Sequence, residues 1–213
     1  INWTDGTKQN VFRNRVYEFT EEKIRQSLYR PFSKEFLYYD RWLNERVYQM
    51  PRLFPESNSK NLLICVAGIG GHKPFTTLIT DSTTDLNVME AGTQCFPLYW
   101  YDKKSLEGEV NLFEEKKDDG PVYVRHDGVT DYIWNLAKEQ YHTAAITKED
   151  IFYYVYGLLH SADYRNEFAA DLKKMLPRIP LVEKAVDFKA FMKAGRELAD
   201  LHLNYENQVP PAD

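Results

Sequence analysis

The spacing of apolar positions changes near the middle of this 213-residue chain. In the front, three short apolar runs stand out: Leu62 to Ala67, Thr76 to Thr80 and Cys95 to Tyr101. Each is β-branched or aromatic and bounded by turn residues, so each predicts a buried strand, and one sheet is expected to hold all three. Phe36 to Tyr39 predicts a further strand. Two front helices are also expected. One starts at Thr20 as N-cap, carries Glu21 and Glu22 in its first turn, and stops at Arg30-Pro31. The other is capped by Asp40, runs from Arg41 to Met50, and is ended by Pro51. The opening, Ile1 to Glu18, fits a strand or an arm equally well.

After Tyr101 the period is helical. Val129 to Tyr141 places Ile133, Leu136 and Ala137 at helical spacing. Thr147 begins a capping-box-like start, followed by the stripe Ile151, Tyr154, Val155, Leu158 and Leu159. Ser161 is placed to cap a helix bearing Tyr164, Phe168, Leu172 and Met175, ended by Pro177 and Pro180. Asp187 is placed to cap a last helix bearing Phe188, Phe191, Met192, Leu198 and Leu201. The acidic, lysine-rich segment from Asp102 to Asp127 reads as a solvated loop insertion and the boundary between front and back. The expected fold is α+β, a small mixed β-sheet front with a helical C-terminal half. Residues 1–127 form the β-containing part and 128–213 the helical scaffold of one compact domain.

Composition narrows the function classes. Apolar residues make up 43% and charged residues 28%, as in an ordinary soluble protein. No apolar run is long enough to span a bilayer and no signal peptide opens the chain, so a cytoplasmic protein without membrane contact is expected. The first residue is Ile1 rather than Met, which predicts a fragment of a longer polypeptide. Cys65 and Cys95 sit in strand-like runs and read as buried thiols of a reducing compartment. A net charge of −5 argues against a free-standing nonspecific nucleic-acid binder. The charge is uneven, however. Residues 1–60 hold 11 Lys and Arg against 8 Asp and Glu, whereas residues 102–213 hold 15 against 21. That asymmetry suits one face that meets an anion.

Two stretches offer recognition chemistry. Gly68-Ile69-Gly70-Gly71-His72-Lys73-Pro74 joins the first two predicted strands, and its tip presents His72, Lys73 and Thr76. Such a loop can present donors to a ligand or be a plain connection. Arg41, Asn44 and Arg46 can read phosphates and bases, or be solvated charges and internal salt bridges to Asp40 and Glu45. Known catalytic signatures are missing. The glycine loop has lysine where a dinucleotide loop needs glycine, and no G-K-[ST], G-x-S-x-G or H-E-x-x-H occurs. The five histidines lack ligand spacing. His160 and His202 lie near helix C-termini, where a cation is mildly favoured and a structural role is expected. We expect no catalytic residues, no metal and no cofactor.

Several phrases, in order, carry a resemblance: Arg30-Pro31-Phe32, Leu37-Tyr38-Tyr39-Asp40-Arg41, Phe96-Pro97-Leu98-Tyr99, Tyr154 to Ser161 with Tyr164-Arg165, Leu176 to Pro180, and Gly195 to His202. Together they resemble the C-terminal specificity domain of type ISP restriction–modification enzymes, from about Ile24 to Leu203. In that family one polypeptide carries nuclease, helicase-like ATPase, adenine methyltransferase and target-recognition parts. The N-P-P-Y motif, the Walker loop and the nuclease carboxylates are absent from this chain, as expected of the recognition part alone. The resemblance implies sequence-specific binding of double-stranded DNA, with the methyltransferase and helicase domains of the same polypeptide as further partners. The alternative it leaves open is a coupling or protein-interaction module of the same enzyme that does not touch DNA.

Overall fold

The computed structural model describes residues 4–44, 46–90, 92–104 and 122–209. A short helix opens it, α1 (Asp5–Phe12), capped by the Thr4 hydroxyl, which accepts the Thr7 N–H. The strand-or-arm alternative for the opening therefore gives way to a helix. Next comes a hairpin of β1 (Ile24–Arg30) and β2 (Ser33–Tyr38). Here the expected helix from Thr20 is wrong. Only a single tight turn forms, over Glu21–Lys23, and the Thr20 side chain caps nothing. Its N–H instead donates to the Tyr38 hydroxyl, across the hairpin. Pro31 followed by Phe32 at φ +56° has the pattern of a type II turn, so Arg30-Pro31 reverses a strand rather than ending a helix.

The second front helix is also absent. Asp40 does cap, accepting the Trp42 N–H at 2.8 Å, but only one turn follows. The Asn44 amide then closes the loop by donating to the carbonyls of Tyr38 and Asp40. Pro51 starts a helix instead of ending one. It lies in the first turn of α2 (Met50–Leu53), where its missing N–H costs nothing.

The central sheet is β4 (Thr77–Thr80), β3 (Leu63–Val66) and β6 (Gln94–Pro97), with β3 antiparallel to both neighbours. β3 is buried along its whole length because each face meets a different core. Leu63 and Cys65 point to Leu28, Leu53, Phe54 and Val88, whereas Ile64 and Val66 point to the helical back. The short β5 (Thr83–Thr84) runs parallel to β1 and ties the hairpin to this sheet. The third predicted strand breaks at Leu98. Its second half, β7 (Tyr99–Lys103), pairs with β8 (Tyr123–Asp127) in a separate two-stranded sheet. One sheet therefore does not hold all three runs. The expected loop over Asp102 to Asp127 is corrected at Asp102 and Lys103, which end β7, and at residues 123–127, which form β8, while residues 105–121 lie outside the described part.

The back follows the helical spacing closely: α3 (Asp131–Gln140), α4 (Lys148–His160), α5 (Ala162–Glu167), α6 (Ala169–Leu172) and α7 (Ala185–Leu203). Thr147 and Asp150 form a reciprocal capping box, and Ser161 accepts the Tyr164 N–H. The helix expected from Ser161 breaks at Phe168 into α5 and α6. The last helix starts two residues before Asp187, which occupies its first turn. α4 and α7 pack most closely, through Gly157 and Gly195. A Cβ at either glycine would overlap a backbone carbonyl oxygen of the other helix, that of Phe191 or Tyr153. The Arg196 guanidinium clasps Glu149 and Asp150, each at 2.9 Å, across the same crossing.

Candidate functional site

The hairpin β1–β2 carries the predicted site residues at its two ends. At the open end, Arg41 and Arg46 are exposed and line an open recess of about 770 Å³ with Tyr39, Val47, Tyr48 and Pro51. The Tyr39 ring lies under the Arg25 guanidinium, 4.3 Å from its centroid, and Arg25 donates to the Phe54 carbonyl. Burial pushes the Tyr39 phenol up to about 12 and lowers Arg25. Among the described residues neither Arg41 nor Arg46 forms a salt bridge, because Asp40 is taken by Lys23 at 2.6 Å. The suggested pairing to Glu45 lies outside the described residues. Asn44 spends its amide on two carbonyls and keeps only its side-chain oxygen.

At the turn end of the hairpin lies the glycine-rich loop. It is held from outside by Glu90. The Glu90 carbonyl accepts the Gly68 N–H, and its carboxylate accepts the Lys73 N–H at 2.7 Å. That bond, and then the His72 amide, hold the Glu90 carboxyl below its usual range. Gly70 takes φ +84°, a conformation that favours glycine. Lys73 and Thr76 line a second recess of about 650 Å³ together with Arg30, Phe32, Asn87 and His202. His72 is exposed on the same loop but does not line it.

The two predicted groups therefore do not share a cavity. The recesses lie at opposite ends of the hairpin, whose second strand has six residues and spans about 20 Å. Sequence reasoning missed Arg30, Phe32, Asn87 and Glu90. Arg30 was hidden because Arg30-Pro31 read as a helix stop. The turn-rich run from Asp81 to Asn87 was the available signal for Asn87.

His202 couples this recess to the back. The Tyr156 hydroxyl accepts the Ile79 N–H from the free edge of β4 and shares a hydrogen bond with His202 Nδ1. His160 lies against both rings, and its Nδ1 accepts from Arg165. The helix-end position of these histidines favours a cation, but burial outweighs it. Burial, then Arg165 and His202, push His160 down to about 4, and burial lowers His202. An unfolded chain binds these protons near pH 6.5, so the unfolded state holds more protons below that pH. Stability is thus fully present above pH 6.5 and lost as pH falls toward about 4. Between pH 6.5 and 5 ordinary carboxylates stay ionised in both states, which isolates the histidines. The thermal midpoint should fall over that interval, and His160→Asn should flatten the fall. An equally steep fall in the variant would contradict the assignment.

A strand-built front that presents two recesses of cationic and aromatic side chains, braced by helices, has the architecture of a recognition module. Among the described residues no group of three or more His, Cys, Asp or Glu could hold a metal ion, and no helix is long and apolar enough to cross a membrane. The chain belongs to the Type ISP C-terminal specificity domain family, whose model matches residues 1–213. Over 100% of its length it is similar, at 34% identity and a TM-score of 0.80, to the ATP-dependent Type ISP restriction-modification enzyme LlaBIII bound to DNA. Over 99% it is similar, at 37% identity and a TM-score of 0.73, to a nuclease-deletion mutant of the Type ISP restriction-modification enzyme LlaGI in complex with a DNA substrate mimic. Over 100% it is similar, at 34% identity and a TM-score of 0.82, to DrdV in a DNA complex. It spans only 13%, 16% and 19% of those chains. No curated protein matches the chain.

Proposed function

We propose that this chain recognises a specific sequence in double-stranded DNA, as the non-catalytic specificity domain of a larger cytoplasmic Type ISP restriction–modification enzyme. The observation that carries this reading is likeness along the whole chain to two Type ISP restriction-modification enzymes and to DrdV, each in a DNA complex, at 34–37% identity. In it, residues 1–127 are the recognition part and residues 128–213 the scaffold that holds it, and the methyltransferase and helicase parts act on the DNA so chosen.

DNA contact falls to the front. Arg41 and Arg46 in the first recess, and His72, Lys73 and Thr76 at the second, are the contacting side chains. Asn44 shapes the loop and offers its remaining oxygen. The length of the hairpin, about 20 Å, corresponds to about six base pairs at roughly 3.4 Å per step. The acidic net charge is tolerable where neighbouring domains neutralise most of the phosphates. The Arg41→Ala and Lys73→Ala variants of the whole enzyme should each weaken DNA binding. A lost base contact should cost about 1–3 kcal/mol on the specific site alone, whereas a lost phosphate contact should weaken all sequences alike. Specific and nonspecific affinity at one salt concentration separates the two. Wild-type binding by both variants, with binding abolished by replacing Lys173 and Lys174 on the back, would overturn the placement.

One observation favours the coupling module as a second reading. Phe12, Val16 and Phe36 are 87%, 94% and 81% exposed, more than a front that meets only DNA requires. The same affinity measurements decide between the readings, since a coupling surface leaves DNA affinity unchanged.

A further inference from the structure

We infer that Arg30 and Asn87, both organised by Asp85, are the base-reading pair of the second recess, Arg30 for a guanine and Asn87 for an adenine. The inference rests on the DNA reading proposed above and deepens it.

Arg30 ends β1 at the hairpin turn, and its guanidinium is fixed on three sides. Nη1 donates to the Tyr29 carbonyl at 2.6 Å and to Asp85 Oδ1 at 3.0 Å. The guanidinium carbon lies 4.0 Å from the centroid of the Tyr29 ring. Nη1 has two hydrogens, and both are used. Among the described residues nothing accepts from Nε or Nη2. Those two groups form the side-on edge, whose parallel N–H bonds match guanine O6 and N7. An arginine whose free edge is already aimed loses less entropy on binding than one waving in solvent. Arg41 and Arg46 have no comparable support among the described residues.

Asn87 depends on the same carboxylate oxygen. Asp85 Oδ1 accepts the Asn87 N–H at 2.8 Å, which closes a local turn and sets the direction of the side chain. The Asn87 amide makes no hydrogen bond to described residues, is exposed, and lines the same recess as Arg30. Its paired donor and acceptor match adenine N6 and N7. Asp85 itself is anchored to the sheet, its N–H donating to the Leu28 carbonyl at 3.0 Å. The chain of support thus runs from β1 through Asp85 to both readers. Phe32 walls the recess beside them, T-shaped against His202 and Tyr205.

The test is methylation-site mapping with the whole enzyme that carries this chain, comparing wild type with Arg30→Ala, Arg30→Lys and Asn87→Ala. Arg30→Ala should accept other bases at one guanine position, with discrimination there reduced on the order of 10- to 100-fold and the other positions kept. Arg30→Lys should behave alike, because a point charge cannot form the two-bonded fork. If Arg30→Ala fails to fold, Arg30→Lys, which keeps a cation beside Asp85, carries the test. Asn87→Ala should relax one adenine position by a similar factor. Unchanged discrimination at every position overturns the inference, as does a uniform loss of methylation with preference intact. If exchange of the whole domain still moves the target site in that event, the DNA reading stands without this pair. If exchange leaves the site unmoved, both fail.

Discussion

Replacing Gly157 or Gly195 by alanine should destabilise the domain by about 3 kcal/mol, against the usual helix preference for alanine. In an exposed helix either change would gain about 1 kcal/mol of helix propensity. At this crossing the added methyl group meets a backbone carbonyl of the facing helix, Phe191 for Gly157 and Tyr153 for Gly195. Backbone cannot rotate away as a side chain can, so α4 and α7 must separate. Separation loosens the contacts of Tyr154 with Phe188 and Phe191, and the clasp of Arg196 on Glu149 and Asp150. It also pulls Tyr156 and His202 apart, and with them the brace on β4. For a chain of this size the midpoint should drop by about 6–12 °C. The double variant should cost less than the sum, because one separation relieves both overlaps. Thermal unfolding of the three variants checks this. A stabilised Gly195→Ala variant, or strict additivity, would contradict the close crossing.

The back was legible because its signals are local. The capping box at Thr147, the cap at Ser161 and the apolar stripe of α4 each need only neighbours within a few residues, and helices report such neighbours directly. β3 was legible for a related reason: a strand covered on both faces must be apolar throughout. Of the front hairpin only the second strand was legible, from Phe36 to Tyr39. Thr20, Glu21 and Glu22 form a sound helix start, and Ile24 and Leu28 fit either period. Pairing with the adjacent β2, and with β5 far along the chain, decided the outcome. Pro51 carried the same ambiguity, since proline both stops helices and starts them.

The candidate site was legible only in its loop. Glycine and donor residues between two strands marked the loop from Gly68 to Thr76 without any tertiary information. The support of that loop by Glu90, and the fixing of Arg30 by Asp85, join residues 17 and 55 positions apart. No local pattern shows such links. The asparagine at position 44 misled for the opposite reason. Its side chain suits base reading, but the local backbone already uses its amide.

The second large effect concerns the choice of target. If the chain is the part that reads DNA, its exchange should move the enzyme's whole target, and not one position of it. The likeness at 34–37% identity and TM-scores of 0.73–0.82 over essentially the full length makes such an exchange structurally feasible. The most direct measurement is methylation-site mapping of a chimaera in which this domain replaces its counterpart in a related Type ISP enzyme. The account predicts that the modified sequence becomes that of the enzyme from which this domain came. A modified sequence that stays with the rest of the recipient enzyme, in a folded and active chimaera, would contradict it.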